Sequence, residues 1–103
     1  MSKVDQIVRV INDTTKPVKI ILFGSRVKGN NVGGSDLDIA VIQHSEPKLG
    51  QKAKIYLALK HQGYDWNPEP DIHLFSAKAF EKKLRYGDLF AQEVARGKTV
   101  YAS

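Results

Sequence analysis

The residues of this chain best suited to chemistry are three aspartates and one glycine–serine pair: Asp36 and Asp38 in Ser35-Asp36-Leu37-Asp38-Ile39, Asp71 in Pro70-Asp71-Ile72-His73, and Gly24-Ser25-Arg26 directly after an apolar run. Aspartate is depleted from strands, so three of them in strand-like segments call for a reason. Two residues apart on a strand, Asp36 and Asp38 leave the same face with Cα atoms about 6.5 Å apart. Carboxylates that close repel each other, and a cation between them relieves the repulsion. Oxygen ligands suit a hard divalent ion, Mg²⁺ or Mn²⁺. Asp71 opens another strand and would face the same ions if that strand lies beside the first. Taken alone, the Asp-x-Asp pair also suits a solvated outer face. Backbone amides at Gly24-Ser25 can converge on an anion. Ser25 adds a hydroxyl donor, and Arg26 a planar cation suited to phosphate oxygens. Neither a P-loop nor the Gly-x-Gly-x-x-Gly fingerprint is present, and a lone Gly-Ser is also simply a turn.

The elements that must position these groups are legible from pattern. Ser2 to Asp5 form a capping-box start, and Val4, Ile7, Val8 and Ile11 recur at helical spacing, predicting a helix over 3–13. Residues 18–23 read as a largely buried strand ending at Gly24. Residues 24–35 hold four glycines and two asparagines, too many for a regular element. A second strand covers 36–42. A helix covers 49–61, with Ala53, Tyr56, Leu57 and Lys60 on one line and Gly63 closing it. A loop with two prolines, 64–70, leads to a third strand, 71–75. Ser76 caps a helix to about Tyr86, Gly87-Asp88 start another that Gly97 ends, and 99–102 make a last edge strand. The order predicts an α/β (α+β) fold: a small mixed sheet with helices packed on one face and the other face partly open.

Composition narrows the classes. The 103 residues predict a single domain, 1–103. At 42% hydrophobic and 26% charged, the chain is of ordinary globular make-up, which excludes disorder throughout. Apolar runs of four residues, Ile20–Phe23 and Ile39–Ile42, exclude a transmembrane span, which needs about 20. The N-terminus has no signal-peptide core, and the absence of cysteine excludes a disulfide framework or thiolate site, so a cytoplasmic location is expected. The net charge of +5 is spread over both halves. That balance fits a polyanion such as a nucleoside triphosphate and fits equally a plain soluble surface.

Gly24-Ser25, ten residues, then Asp36-Leu37-Asp38 resembles the Gly-Ser-x10-Asp-x-Asp signature of the minimal nucleotidyltransferases, within the DNA polymerase beta-like nucleotidyltransferase superfamily. Leu22 to Gly29 and Ser35 to Val41 look like that family almost residue for residue, Asp71 matches its third acid, and the likeness runs through Gly97-Lys98-Thr99-Val100-Tyr101. His73 departs from the pattern, which has an apolar or acidic residue there. The resemblance implies a polymerase beta-like core that transfers a nucleoside monophosphate, AMP from ATP. Asp36 and Asp38 would bridge two Mg²⁺ or Mn²⁺ ions. Asp71 would serve the attacking side and receive the proton of the incoming hydroxyl. Gly24, Ser25 and Ser35 would stand at the nucleotide. Arg26 would either neutralise triphosphate charge or brace the loop against an acid. The resemblance further implies an antitoxin that modifies a tyrosine of a HEPN-domain toxin. Two other readings stand beside it: a non-catalytic antitoxin that binds its partner, and a small-molecule (antibiotic) nucleotidyltransferase working with a partner subunit. A nucleic-acid partner is not expected, and a homo-oligomer is left open.

Other residues carry weaker signals. His44, His61 and His73 share no metal-ligand spacing and read as surface or strand-edge residues. Lys48, Lys52, Lys54 and Lys60 make a basic helix, either a solvated face or a contact for an acidic partner. Tyr64 and Trp66 either anchor their loop or belong to an interface.

Overall fold

The computed structural model describes residues 2–24 and 36–103. Helix α1 spans Lys3–Thr14 and opens with the expected capping box: Asp5 N–H donates to Ser2 Oγ at 3.0 Å, and Ser2 N–H to the Asp5 carboxylate at 3.4 Å. It is followed by β1 (Pro17–Phe23), β2 (Leu37–Gln43), α2 (Gln51–His61), β3 (Pro70–Ser76), α3 (Ala77–Arg85), α4 (Leu89–Ala95) and β4 (Lys98–Ala102). Ser76 and Asp88 cap α3 and α4, accepting from Ala79 N–H at 3.1 Å and Ala91 N–H at 2.8 Å. Each helix therefore starts where a side-chain oxygen can take an orphan amide, except α2, whose N-cap is Gly50.

The strands form one sheet in the order β3-β2-β1-β4, with β1 antiparallel to β2 and β4, and β2 parallel to β3. This is the expected mixed sheet. In one detail the expectation fails: helices pack on both faces. Ile20 and Leu22 of β1, with Leu37, Ile39 and Val41 of β2, meet Ile7, Val10 and Ile11 of α1 and Ile55 and Leu59 of α2. On the opposite face, Ile21, Phe23, Ala40 and Ile42 meet Phe80 of α3 and Ala91 and Val94 of α4. The cause lies in the unbroken apolar runs, which place hydrophobic side chains at both parities and so leave two faces to cover. The buried line of α2 also differs from that expected. It runs through Ile55 and Leu59, while Leu57 is exposed, because the helix lies on the sheet through residues one position away from the Ala53–Lys60 line.

Gly97, which was expected to end a helix, also lets the turn between α4 and β4 lie against β1. A Cβ there would collide with the Leu22 carbonyl and stand 2.7 Å from Ile21 Cγ2.

Candidate active site

Parallel pairing brings the starts of β2 and β3 to the same end of the sheet, where antiparallel β1 ends. In this register Asp38 pairs with Phe23 on one side and with Asp71 on the other. The row across the sheet is therefore Phe23–Gly24, Asp38, Asp71. Asp38 and Asp71 share the face of Ala40 and Ile42, but they lie at its end, where their side chains keep 31% and 42% of their surface. Asp36, one residue before β2, is exposed.

A third group stands with the two acids. His73 follows Asp71 by two residues and so leaves the same face of β3. Its Nε2 lies 3.3 Å from Asp71 Oδ2 and 3.9 Å from Asp38 Oδ1. The ring is set by aromatic neighbours, Phe23 at 5.5 Å and Phe90 of α4 at 5.3 Å between centroids. One ligand atom from each of Asp38, Asp71 and His73 falls within 4.8 Å of the others, and Asp36 lies outside this trio. Two carboxylates and an imidazole are a donor set that fits a divalent cation. Burial holds the Asp38 carboxyl above its usual range, and the charges of Asp71 and Asp36 push the same way, against the opposing effect of His73. A bound cation would reverse that balance, because it favours the ionised form. The signal for His73 was present in Asp71-Ile72-His73, where i and i+2 share a face.

Gly24 has φ +92, and a Cβ there would collide with the Asp38 carboxylate. Glycine thus lets the end of β1 lie directly against the acid, a reason for this residue beyond a turn. Ser25, Arg26 and Ser35, expected at the nucleotide, lie outside the described residues.

The backbone around Asp71 is held from outside the sheet. Leu37 N–H donates to the Glu69 carbonyl at 2.9 Å, so Pro70 C=O and Ile72 N–H, one residue on, point away from β2 on an edge strand. Tyr56 of α2 meets both: its hydroxyl donates to Pro70 O at 2.8 Å and accepts from Ile72 N–H at 3.1 Å. Burial pushes the Tyr56 phenol up, so it keeps the proton it donates. Beyond it lies a cleft of about 590 Å³ lined by Asp36, Tyr56, Trp66, Glu69, Pro70 and Asp71. Another cleft, about 610 Å³, lies around Thr15, Gln43 and Lys48 at the far end of β2, away from the acids.

Among the described residues no helix is long and apolar enough to cross a membrane. Residues 5–102 match the family model of polymerase beta, nucleotidyltransferase. No curated protein matches the chain. Two solved structures resemble it over its whole length. One is a chain from a toxin-antitoxin with AMP-PNP, 23% identical, TM-score 0.65, with 75% of that chain covered. The other is a chain from a mutant of the toxin-antitoxin MntA-HpeT, 20% identical, TM-score 0.63, again with 75% covered.

Proposed function

The chain belongs to the polymerase beta nucleotidyltransferase family, and from that membership we propose that it is a minimal nucleotidyltransferase acting as an antitoxin, moving AMP from ATP to a tyrosine hydroxyl of a HEPN-type toxin in the cytoplasm. The observation that carries this reading is the pairing of Asp38 with Asp71 across parallel strands, beside a glycine pressed against Asp38. The toxin-antitoxin character of the two similar structures supports the choice of partner.

Asp36, Asp38 and Asp71 would hold the divalent ions, Mg²⁺ or Mn²⁺, with His73 as a further donor. When bound, such ions neutralise the charge that develops on the attacking and leaving oxygens of a phosphoryl transfer. The protein's own groups do the rest. Gly24 and Ser25 would bind the β and γ phosphates, Ser35 would serve the nucleotide, and Arg26 would either neutralise triphosphate charge or brace the loop against an acid. Asp71 takes the proton from the incoming hydroxyl. Tyr56 keeps Asp71 in register by fixing the backbone on both sides of it.

The test is co-expression with the toxin, followed by intact-mass measurement. The expected result is a toxin heavier by one AMP, mapped to tyrosine, and an unmodified toxin when Asp36 and Asp38 are both changed to Asn. A toxin that stays unmodified yet is inhibited equally by both proteins would replace transfer with simple binding.

A further inference from the structure

The cleft on the Asp71 side of the acids has the make-up of a ring-binding site. Trp66 stands at φ 60, a left-handed conformation that non-glycine residues adopt only when their surroundings impose it. Its loop is tied down on both sides. The Asp65 carboxylate accepts from Asn67 N–H at 3.1 Å and from Lys3 at 2.9 Å, Lys3 also donates to the Asn67 carbonyl, and the Tyr64 hydroxyl donates to the Pro68 carbonyl. The indole meets Tyr64 edge-on at 5.6 Å and Tyr56 at 6.1 Å, yet keeps 37% of its surface exposed. An aromatic held in an unfavourable backbone state and still presented at a cleft points to a ligand rather than to packing.

The charge and position of the cleft select that ligand. Among the described residues its lining holds three carboxylates, Asp36, Glu69 and Asp71, and no cation, the nearby Lys52 ammonium lying over the Tyr56 ring at 5.9 Å, so the net charge of the lining repels a free phosphate chain. Gly24 lies on the β1 side, across Asp38 from Asp71. A triphosphate at Gly24 and an occupant of the cleft would therefore reach the acids from opposite ends of the row. We propose that the Tyr56–Trp66 cleft is the acceptor subsite, taking the neutral aromatic ring of a phenol against Trp66 with its hydroxyl toward Asp71. The inference rests on the nucleotidyl-transfer reading above and extends it to the recognition of the acceptor. In the step served, the phenol oxygen bonds to the α-phosphorus, the bond from that phosphorus to the pyrophosphate oxygen breaks, pyrophosphate leaves with the electron pair, and the phenolic proton passes to Asp71.

Trp66 is the one tryptophan of the chain, so tryptophan emission, excited at the red edge where neither the four tyrosines nor a phenol titrant absorbs, reads this cleft. The intact protein is titrated with N-acetyl-tyrosinamide, and separately with a non-hydrolysable ATP analogue and Mg²⁺, whose binding is followed in parallel by calorimetry. The expected result is a saturable change of tryptophan emission with the phenol and a change less than a quarter as large with the nucleotide. In the transfer assay, Trp66→Ala should raise KM for the acceptor at least tenfold with KM for ATP within twofold, while Trp66→Phe keeps most of the affinity. Emission that follows the nucleotide and ignores the phenol would assign the cleft to the base and overturn the proposal. So would an emission that follows neither. The phenol titration needs no turnover, and failure of the transfer reading itself would show separately, as absence of nucleotide binding in the calorimeter.

Discussion

At the scale of single residues, Asp38 carries a cost that its function would explain. Its carboxyl binds a proton more readily in the folded protein than in the unfolded chain. Such a group favours folding at low pH and penalises it as pH rises past the unfolded value. The metal-free protein should therefore lose stability as pH climbs from about 4 toward neutrality through this group. Asp38→Asn should flatten that decline and raise the metal-free Tm at pH 7 by a few °C, read by thermal melts across pH. Adding Mg²⁺ or Mn²⁺ should reverse the order. The native chain gains about 2.7 kcal/mol at a hundred times Kd, and the variant gains little. A variant that is no more stable than the native chain without metal would show that the carboxylates are not in conflict. His73 belongs to the same balance. His73→Ala should weaken Mn²⁺ more than Mg²⁺, because imidazole favours the transition ion, and competition titrations of the two metals measure it. Gly24→Ala should cost about 1–2 kcal/mol for its left-handed backbone alone. The collision with Asp38 should add to this and lower metal affinity, so denaturant unfolding and metal titration should move together.

At the scale of elements, the Tyr56 hydroxyl links α2 to the outer edge of β3. Tyr56→Phe should cost about 1 kcal/mol, the worth of a typical internal hydrogen bond. Its signature should be local: faster amide exchange at Ile72 and slower transfer, with exchange in β1 unchanged. How much of this was legible in the sequence differs between elements. The capping box at Ser2, the caps at Ser76 and the strands around Ile20 and Ile39 follow from short-range chemistry and are found where the pattern puts them. The side-by-side placement of β2 and β3 depended on a pairing that no local signal specifies, so Asp71 could be named from the sequence but its contact with Asp38 could not. The cover of the second face by α3 and α4 was encoded in the double-parity runs of β1 and β2, which outweigh the single-face reading of helix order. The clamp from Tyr56 joins residues 14 and 16 positions apart through a side chain that also suits plain packing, and nothing in the spacing separates the two roles.

At the scale of the whole molecule, the acids sit at one end of the sheet, where β1 ends and β2 and β3 begin. Stability resides elsewhere: Leu59→Ala, in the fully buried seam between α2 and the sheet, should cost about 2–5 kcal/mol and lower Tm without altering the metal preference of whatever remains folded. The siting of the acids also bears on fidelity. Asp36 is exposed, and Asp38 and Asp71 keep roughly a third or more of their side-chain surface in solvent. In the proposed reaction, bulk water, at far higher concentration than any protein hydroxyl, would compete as a nucleophile whenever nucleotide is bound without an acceptor. On the proposed transfer to a protein hydroxyl, the acceptor protein would complete the wall of the site and shut solvent out. If the proposed reading holds, release of free AMP should be measurable in the isolated chain and should fall as the acceptor protein is added, so that docking would govern not only how fast the transfer runs but how little nucleotide is squandered.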